Sequence, residues 1–243
     1  MITEKQVSDL LTEYIAKGKK VDMHHASYDR EGYIQFHAKR YSESLMFINP
    51  LLNSSAKVLE LGEPGPFTFL IEQLYPGITI DYAQEDLRYS VSKGSDCYDL
   101  ILNMEVIEHI KDQKESILTE VDFSGLKQFI RECYRVLKTS GKMFITTPNA
   151  GSYNSMNLLF NHEPAWMWRY HFREYSPKEL SDFLREAGFE VTRLVTLHVW
   201  PQRSDHRYTR IIRLLDKLKA MLRFNSSCEF LRGDEIFLIC EKK

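Results

Sequence analysis

Residues 56–75 read Ala56-Lys57-Val58-Leu59-Glu60-Leu61, then Gly62-Glu63-Pro64-Gly65-Pro66, then Phe67-Thr68-Phe69-Leu70-Ile71-Glu72-Gln73-Leu74-Tyr75. The first piece is a short apolar run closed by a glycine and proline cluster, which signals a strand, and the last reads as a helix. Strand, tight loop, helix opens a unit in which parallel strands alternate with helices. Further along, Ile78–Tyr82, Tyr98–Asn103 and Lys142–Thr147 read as strands, with a helix over 125–137 that is expected to close at Gly141. Ser176 is expected to cap a helix running to Ala187-Gly188, and Glu190–Val199 and Glu235–Glu241 read as the last two strands. The pattern predicts an α/β fold with a doubly wound, mostly parallel sheet that binds ligands at the carboxyl ends of its strands. Upstream, Val7, Leu10, Leu11, Tyr14 and Ile15 recur at helical spacing, and a second helix is expected over 33–51. Residues 1–52 thus form a helical appendage to the 53–243 domain.

Composition narrows the class. The chain has 243 residues, 43% of them hydrophobic, with Lys+Arg 32 against Asp+Glu 34, which fits one domain with a substantial core. The net charge of −2 gives no general attraction to nucleic acid or to acidic membranes. Cys97, Cys133, Cys228 and Cys240 form no CxxC pair, so neither a zinc knuckle nor a disulfide framework is expected, and a reducing compartment fits. No apolar run follows the first residues or approaches the ~20 residues of a membrane span, so a cytoplasmic protein is expected.

The order of motifs resembles the class I S-adenosylmethionine (SAM) dependent methyltransferases over Val58 to Lys242. The resembling pieces are Val58-Leu59-Glu60-Leu61-Gly62, the string from Tyr98 through Asn103-Met104-Glu105-Val106-Ile107-Glu108-His109, Arg135-Val136-Leu137 leading to Gly141, and Glu179-Leu180 leading to Ala187-Gly188-Phe189. The resemblance implies a seven-stranded-type, Rossmann-like sheet with helices on both faces, and SAM as cofactor. A ligand with a carboxylate, an ammonium and a ribose needs close access to backbone amides over a helix start, which Gly62 and Gly65 permit. Glu60 can accept from loop amides or from the cofactor ammonium; the plainer alternative is a turn with an edge charge. Family logic assigns the ribose hydroxyls to Asp81, the adenine side to Asp86 and Leu87, and the pocket lining to Asn103, Met104 and Glu105. Two departures stand out. Pro64 and Pro66 occupy the loop where further glycines are usual, so fewer amides are expected there. The stretch between Ile80 and Tyr98 is too short for a helix and a full strand, so the sheet is expected to lose an element after the second strand.

SAM carries an already electrophilic methyl group, so the protein must align an acceptor, exclude water and, for an alcohol, take its proton. His109, Glu108 and His171 are the candidate catalytic groups; the plainer reading of His109 is a helix cap or a packed imidazole. Glu105-x-x-Glu108-His109 with a later His171 also resembles the metal-binding set of small-RNA 2′-O-methyltransferases and of ubiquinone-pathway O-methyltransferases. That resemblance implies Mg²⁺, Mn²⁺ or Zn²⁺ held by Glu105, Glu108, His109 and His171 with open positions for substrate hydroxyls. The segment 149–173 carries Asn149, Tyr153, Asn154, Asn157, Phe160, His162, Trp166, Trp168 and Tyr170, a composition suited to a sugar or aromatic acceptor or, equally, to closing the core. Tyr28, Tyr33, His37, Arg40 and Tyr41 are candidate lid residues, as the resemblance implies, or, equally, belong to plain helix packing. Between Arg203 and Arg223 seven Lys/Arg face two Asp, and Ile211, Leu214, Leu215, Leu218, Met221 and Leu222 lie at helical spacing. The basic amphipathic helix over 207–223 either packs its apolar side or rests on an anionic surface. Together these features point to a methyltransferase acting on a hydroxyl of a small molecule or saccharide. The rivals are a non-catalytic scaffold, motivated by Pro64 and Pro66, and a metal-dependent RNA methyltransferase, motivated by the acid–histidine set and the basic helix. Oligomeric state is open.

Overall fold

The computed structural model describes residues 2–17, 30–113, 122–165, 171–200, 208–222 and 231–243. Two helices come first, α1 (Glu4–Ala16) and α2 (Arg30–Ile48). Thr3 caps α1, its hydroxyl accepting from the Gln6 amide while the Gln6 side chain accepts from the Thr3 amide, so two orphan donors are satisfied reciprocally. There follow β1 (Lys57–Leu61), α3 (Pro66–Leu74), β2 (Thr79–Ala83), β3 (Tyr98–Met104), α4 (Ser124–Val136) and β4 (Leu137–Pro148). The chain continues through α5 (Tyr153–Phe160), α6 (Pro177–Glu186), β5 (Phe189–Leu197), α7 (Thr209–Leu222) and β6 (Glu235–Lys242).

Six strands form one sheet in the order β2-β1-β3-β4-β6-β5, with β6 antiparallel to both of its neighbours and β1 to β4 mutually parallel. No strand lies between β2 and β3 in the chain, so β2 is the edge and the element expected to be lost is lost. Alternate strand residues divide the core. Leu59, Ile101, Met143, Ile145 and Leu238 pack with α4 and α6 on one face. Val58, Leu100, Leu102, Phe144 and Phe237 pack on the other with α3 and with Val7, Leu11, Tyr41, Leu45 and Ile48 of α1 and α2. The amino-terminal helices therefore share a core with the sheet.

Two sequence expectations change. Gly141 does not close α4; β4 begins at once at Leu137, and Gly141 sits inside that strand, where a Cβ would lie 2.7 Å from the Lys138 carbonyl oxygen. The segment 149–173 is not one loop, because α5 forms inside it under a Ser152 cap. Ser176 caps α6 as expected, its hydroxyl accepting from the Glu179 amide at 3.3 Å. Tyr28, Trp166, Trp168, Tyr170, Arg203, Arg207 and Arg223 fall outside the described residues, as do the side chains of Tyr33, Lys219, Met221 and Leu222.

Candidate active site

The first loop leaves β1 at its carboxyl end. Gly62 has φ +108°, a conformation L side chains rarely adopt, and a Cβ there would meet nothing within 4 Å, so the backbone borders open space. Its amide donates to the Ala83 carbonyl at 2.8 Å, pinning the loop to the end of β2. Gly65 is the residue before α3, and Pro66 opens the helix at the position whose N–H would have no intrahelical partner, so this proline removes no helix bond. Glu60 lies buried beneath the loop and accepts from the Thr68 hydroxyl of α3. Burial pushes its carboxyl up to about 7, against a smaller opposing effect of the Thr68 bond. A buried carboxyl near neutrality beside open space over a glycine loop fits a ligand that brings an ammonium.

The remaining cofactor candidates are placed unevenly. Asp86 and Leu87 line a cleft of about 360 Å³ together with Glu85, Arg88, His109, Ile110 and Lys111. Asp86 is held on Arg88 at 2.7 Å, whose hydrogen bonds keep its carboxyl below the ordinary range. Asp81 does not reach that cleft. Its carboxylate accepts from the Tyr98 hydroxyl at 2.8 Å and lies 3.5 Å from the Lys57 ammonium, both at the amino-terminal ends of their strands. Glu85, the first acid beyond β2, occupies the cleft instead. Asn103 is fully buried against the Met143 sulfur, and the half-buried residues at and just past the end of β3 are Met104 and Glu105. The loop amides expected to meet an acceptor are partly spent on structure: Asn149 donates to the Leu231 and Gly233 carbonyls, and Asn157 to Tyr153 and Thr209.

Beyond β3 the chain turns through Glu105, a non-glycine residue at φ +56°, into a single turn of 3-10 helix, Ile107–His109. Conformations of this kind cost about 1–2 kcal/mol and persist where surrounding contacts hold them. Here the contacts are the Glu105 amide on Thr146 O at 3.0 Å, the Thr146 hydroxyl on the Glu105 carboxylate at 2.8 Å, and Arg40 of α2 at 3.2 Å. Burial alone would raise the Glu105 carboxyl; Arg40, Glu235 and Thr146 together bring it below its ordinary value. Glu235, fully buried at the head of β6, accepts from the Trp200 indole at 2.9 Å. Burial, then the Glu105 charge, lifts Glu235 well above the carboxylate range, so it is the partner that carries the proton. Arg40 lies 4.9 Å from the Tyr41 and Trp200 ring centres.

Glu108, His109 and His171 converge, with potential ligand atoms all within 4.8 Å of one another. The histidine rings meet edge to face at 5.0 Å, although they come from opposite ends of a long stretch of chain. The backbone explains the meeting: the Phe172 and Arg173 amides both donate to the Glu108 carbonyl, at 2.9 and 3.1 Å. His171 Nδ1 lies 2.7 Å from the Glu174 carboxylate, so Glu174 orients the ring and leaves Nε2 facing Glu108 at 4.0 Å. Glu108 accepts from the Thr147 hydroxyl at 2.9 Å, and burial, then the Glu105 charge, pushes its carboxyl well up. Glu105 is the member of the expected metal set that does not join; its carboxylate is committed to Arg40 and Thr146. Three groups, one carboxyl and two imidazoles, remain able to hold a divalent cation. Sequence reasoning missed Thr68, Glu174, Glu235 and Trp200. Glu174 was within reach as a carboxylate three residues after His171, and Glu235 as a lone acid opening an apolar run.

Comparison with known proteins bears on the family and the fold. The family model for the methyltransferase domain matches residues 33–194. A probable SAM-dependent methyltransferase of Mycolicibacterium smegmatis is 33% identical over 94 residues, 38% of this chain and 29% of that protein. The ubiquinone biosynthesis O-methyltransferase of Pseudomonas aeruginosa is 24% identical over 149 residues, 59% of this chain and 59% of that protein. This chain therefore spans less than two thirds of either relative. A SAM-dependent methyltransferase from Archaeoglobus fulgidus shares the fold, with TM-score 0.52 and 18% identity over 82% of this chain and 92% of its own. With the family model covering more than half of its length, the chain belongs to the class I SAM-dependent methyltransferase family.

Proposed function

We propose that the chain transfers the SAM methyl group to a hydroxyl oxygen of a small molecule or saccharide. One observation carries this: two imidazoles and a buried carboxyl converge beside the cleft lined by Asp86, Leu87 and His109. The activity of the P. aeruginosa relative, an O-methyltransferase, supports oxygen as the acceptor atom. The inward-facing Asn149 and Asn157 leave fewer amides for a sugar than their sequence promised.

In the chemistry, Gly62 and Glu60 seat the amino acid end of the cofactor, while the cleft at Glu85 to Arg88 receives its nucleoside end. His171 is held through Nδ1 by Glu174, its Nε2 lies on the side of Glu108, and the His109 ring stands against it edge to face, so either imidazole is a candidate base. One of these imidazoles would take the hydroxyl proton, and bound SAM would supply the electrophilic methyl group for the oxygen. Glu108, His109 and His171 would also hold a divalent cation, which supplies a lowered pKa to a coordinated hydroxyl. Glu105, Glu235 and Arg40 hold α2 against the strand ends.

The test is calorimetric titration with SAM, with and without a chelator, followed by transfer of a labelled methyl group to a panel of phenols, diols and sugars. SAM binding and turnover are expected, with His171→Ala, outside the lining of the Asp86 cleft, lowering kcat by about 10²–10⁴ at retained SAM affinity. Absence of SAM binding would overturn the proposal.

A further inference from the structure

On α7 the apolar stripe is turned outward. Ile211, Leu214, Leu215 and Leu218 are between 46 and 58% exposed, whereas Ile212 and Asp216, on the opposite side of the wheel, are buried. Asp216 fastens the helix inward: both of its oxygens accept from Arg232 at 3.1 Å, and Arg232 also donates to the Gly151 carbonyl at 2.9 Å. The one acid of the helix is thereby withdrawn from the surface. Every outward charge among its described side chains is positive, namely Arg210, Arg213 and Lys217, the second of these 5.1 Å from the Tyr153 ring. Helix α5 packs beside the start of α7, through Asn157 on Thr209 at 2.8 Å and Phe160 stacked on Tyr208 at 5.1 Å. It adds Leu159 and Phe160, 61 and 50% exposed, at that end.

We propose that α7 docks the protein on an anionic lipid surface, lying in the plane of the interface with Ile211, Leu214, Leu215 and Leu218 inserted. Charge complementarity selects this occupant. An apolar stripe flanked by cations, with no outward acid among the described side chains of α7, matches acyl chains beneath anionic headgroups. No described helix is long and apolar enough to cross a membrane, so the contact is peripheral. Because α5 leaves the carboxyl end of β4 and α7 is tied to it, docking would bring the acceptor side of the molecule to the bilayer.

The full chain is floated with vesicles of phosphatidylcholine alone and of phosphatidylcholine with phosphatidylglycerol. Binding is expected only to the anionic vesicles, falling about tenfold or more in Leu214→Glu/Leu215→Glu and in Arg210→Glu/Lys217→Glu, and weakening with salt. Both variants change exposed side chains, and an unchanged thermal melt confirms that they fold. No binding of the wild type to anionic vesicles, or binding untouched by either variant, would overturn the proposal. So would sedimentation showing a wild-type dimer that Leu214→Glu/Leu215→Glu converts to monomer, because a second copy would then cover the face.

Discussion

Replacing Glu60 by Gln should remove most of a pH-dependent loss of stability that the native chain carries near neutrality. Glu60 is 7% exposed, and burial lifts its carboxyl from an ordinary 4.5 to about 7. A carboxyl raised in the folded state binds a proton more tightly there than in the unfolded chain. Its stabilising contribution is therefore complete below the unfolded value and disappears as pH rises through the folded one. At about 1.4 kcal/mol per pH unit the rise is worth about 3 kcal/mol, most of it lost between about pH 5 and pH 8. Glutamine keeps an acceptor for the Thr68 hydroxyl and has no charge to gain. Urea denaturation of the native chain and Glu60→Gln at several pH values gives the difference directly, because Glu108 and Glu235, also raised, are present in both proteins. The native curve should fall by about 3 kcal/mol relative to the variant as pH rises. Parallel curves would refute the burial argument for Glu60.

The same carboxyl should release a proton when SAM binds near pH 6 to 7, since an incoming ammonium favours the ionised form; calorimetry in phosphate and in Tris should give different heats, and equal heats would place the ammonium elsewhere. Arg40→Met leaves the Glu105 carboxylate half-buried without its cation and should cost about 3–5 kcal/mol, while Glu235→Gln, which keeps an acceptor for the Trp200 indole, should cost under about 1 kcal/mol; urea midpoints distinguish them. Glu174→Gln should lower kcat by about 10- to 100-fold through loss of the His171 orientation and should shift the pH–rate profile; an unchanged profile would make Glu174 merely structural.

Much of the fold was legible because the pattern that encodes it is local. Val58 and Leu59, Leu100 and Ile101, Phe144 and Ile145 alternate between the two faces of a sheet covered on both sides, so the runs read as apolar strands whatever lies far away in the chain. The shortened stretch before Tyr98 announced the missing strand by length alone. Gly141 misled because a glycine after a helix looks like a cap, whereas tight packing under Lys138 and Tyr98 inside β4 asks for the same residue. The candidate site was legible in its residue types. Glu108, His109 and His171 were singled out and are brought together.

By itself the sequence determined the alternation of strands and helices, the positive-φ glycine at the end of β1, the family and the short list of titratable groups, because periodicity, turn chemistry and motif order are properties of neighbouring residues. Only the tertiary structure decided which of those groups pair. Asp81 is drawn to Tyr98 and Lys57, Glu105 to Arg40 and a protonated Glu235, and the apolar stripe of α7 faces outward because Asp216 is held by Arg232. Electrostatic and hydrogen-bond choices depend on distance in space and on burial, and neither quantity is written in the spacing of the chain.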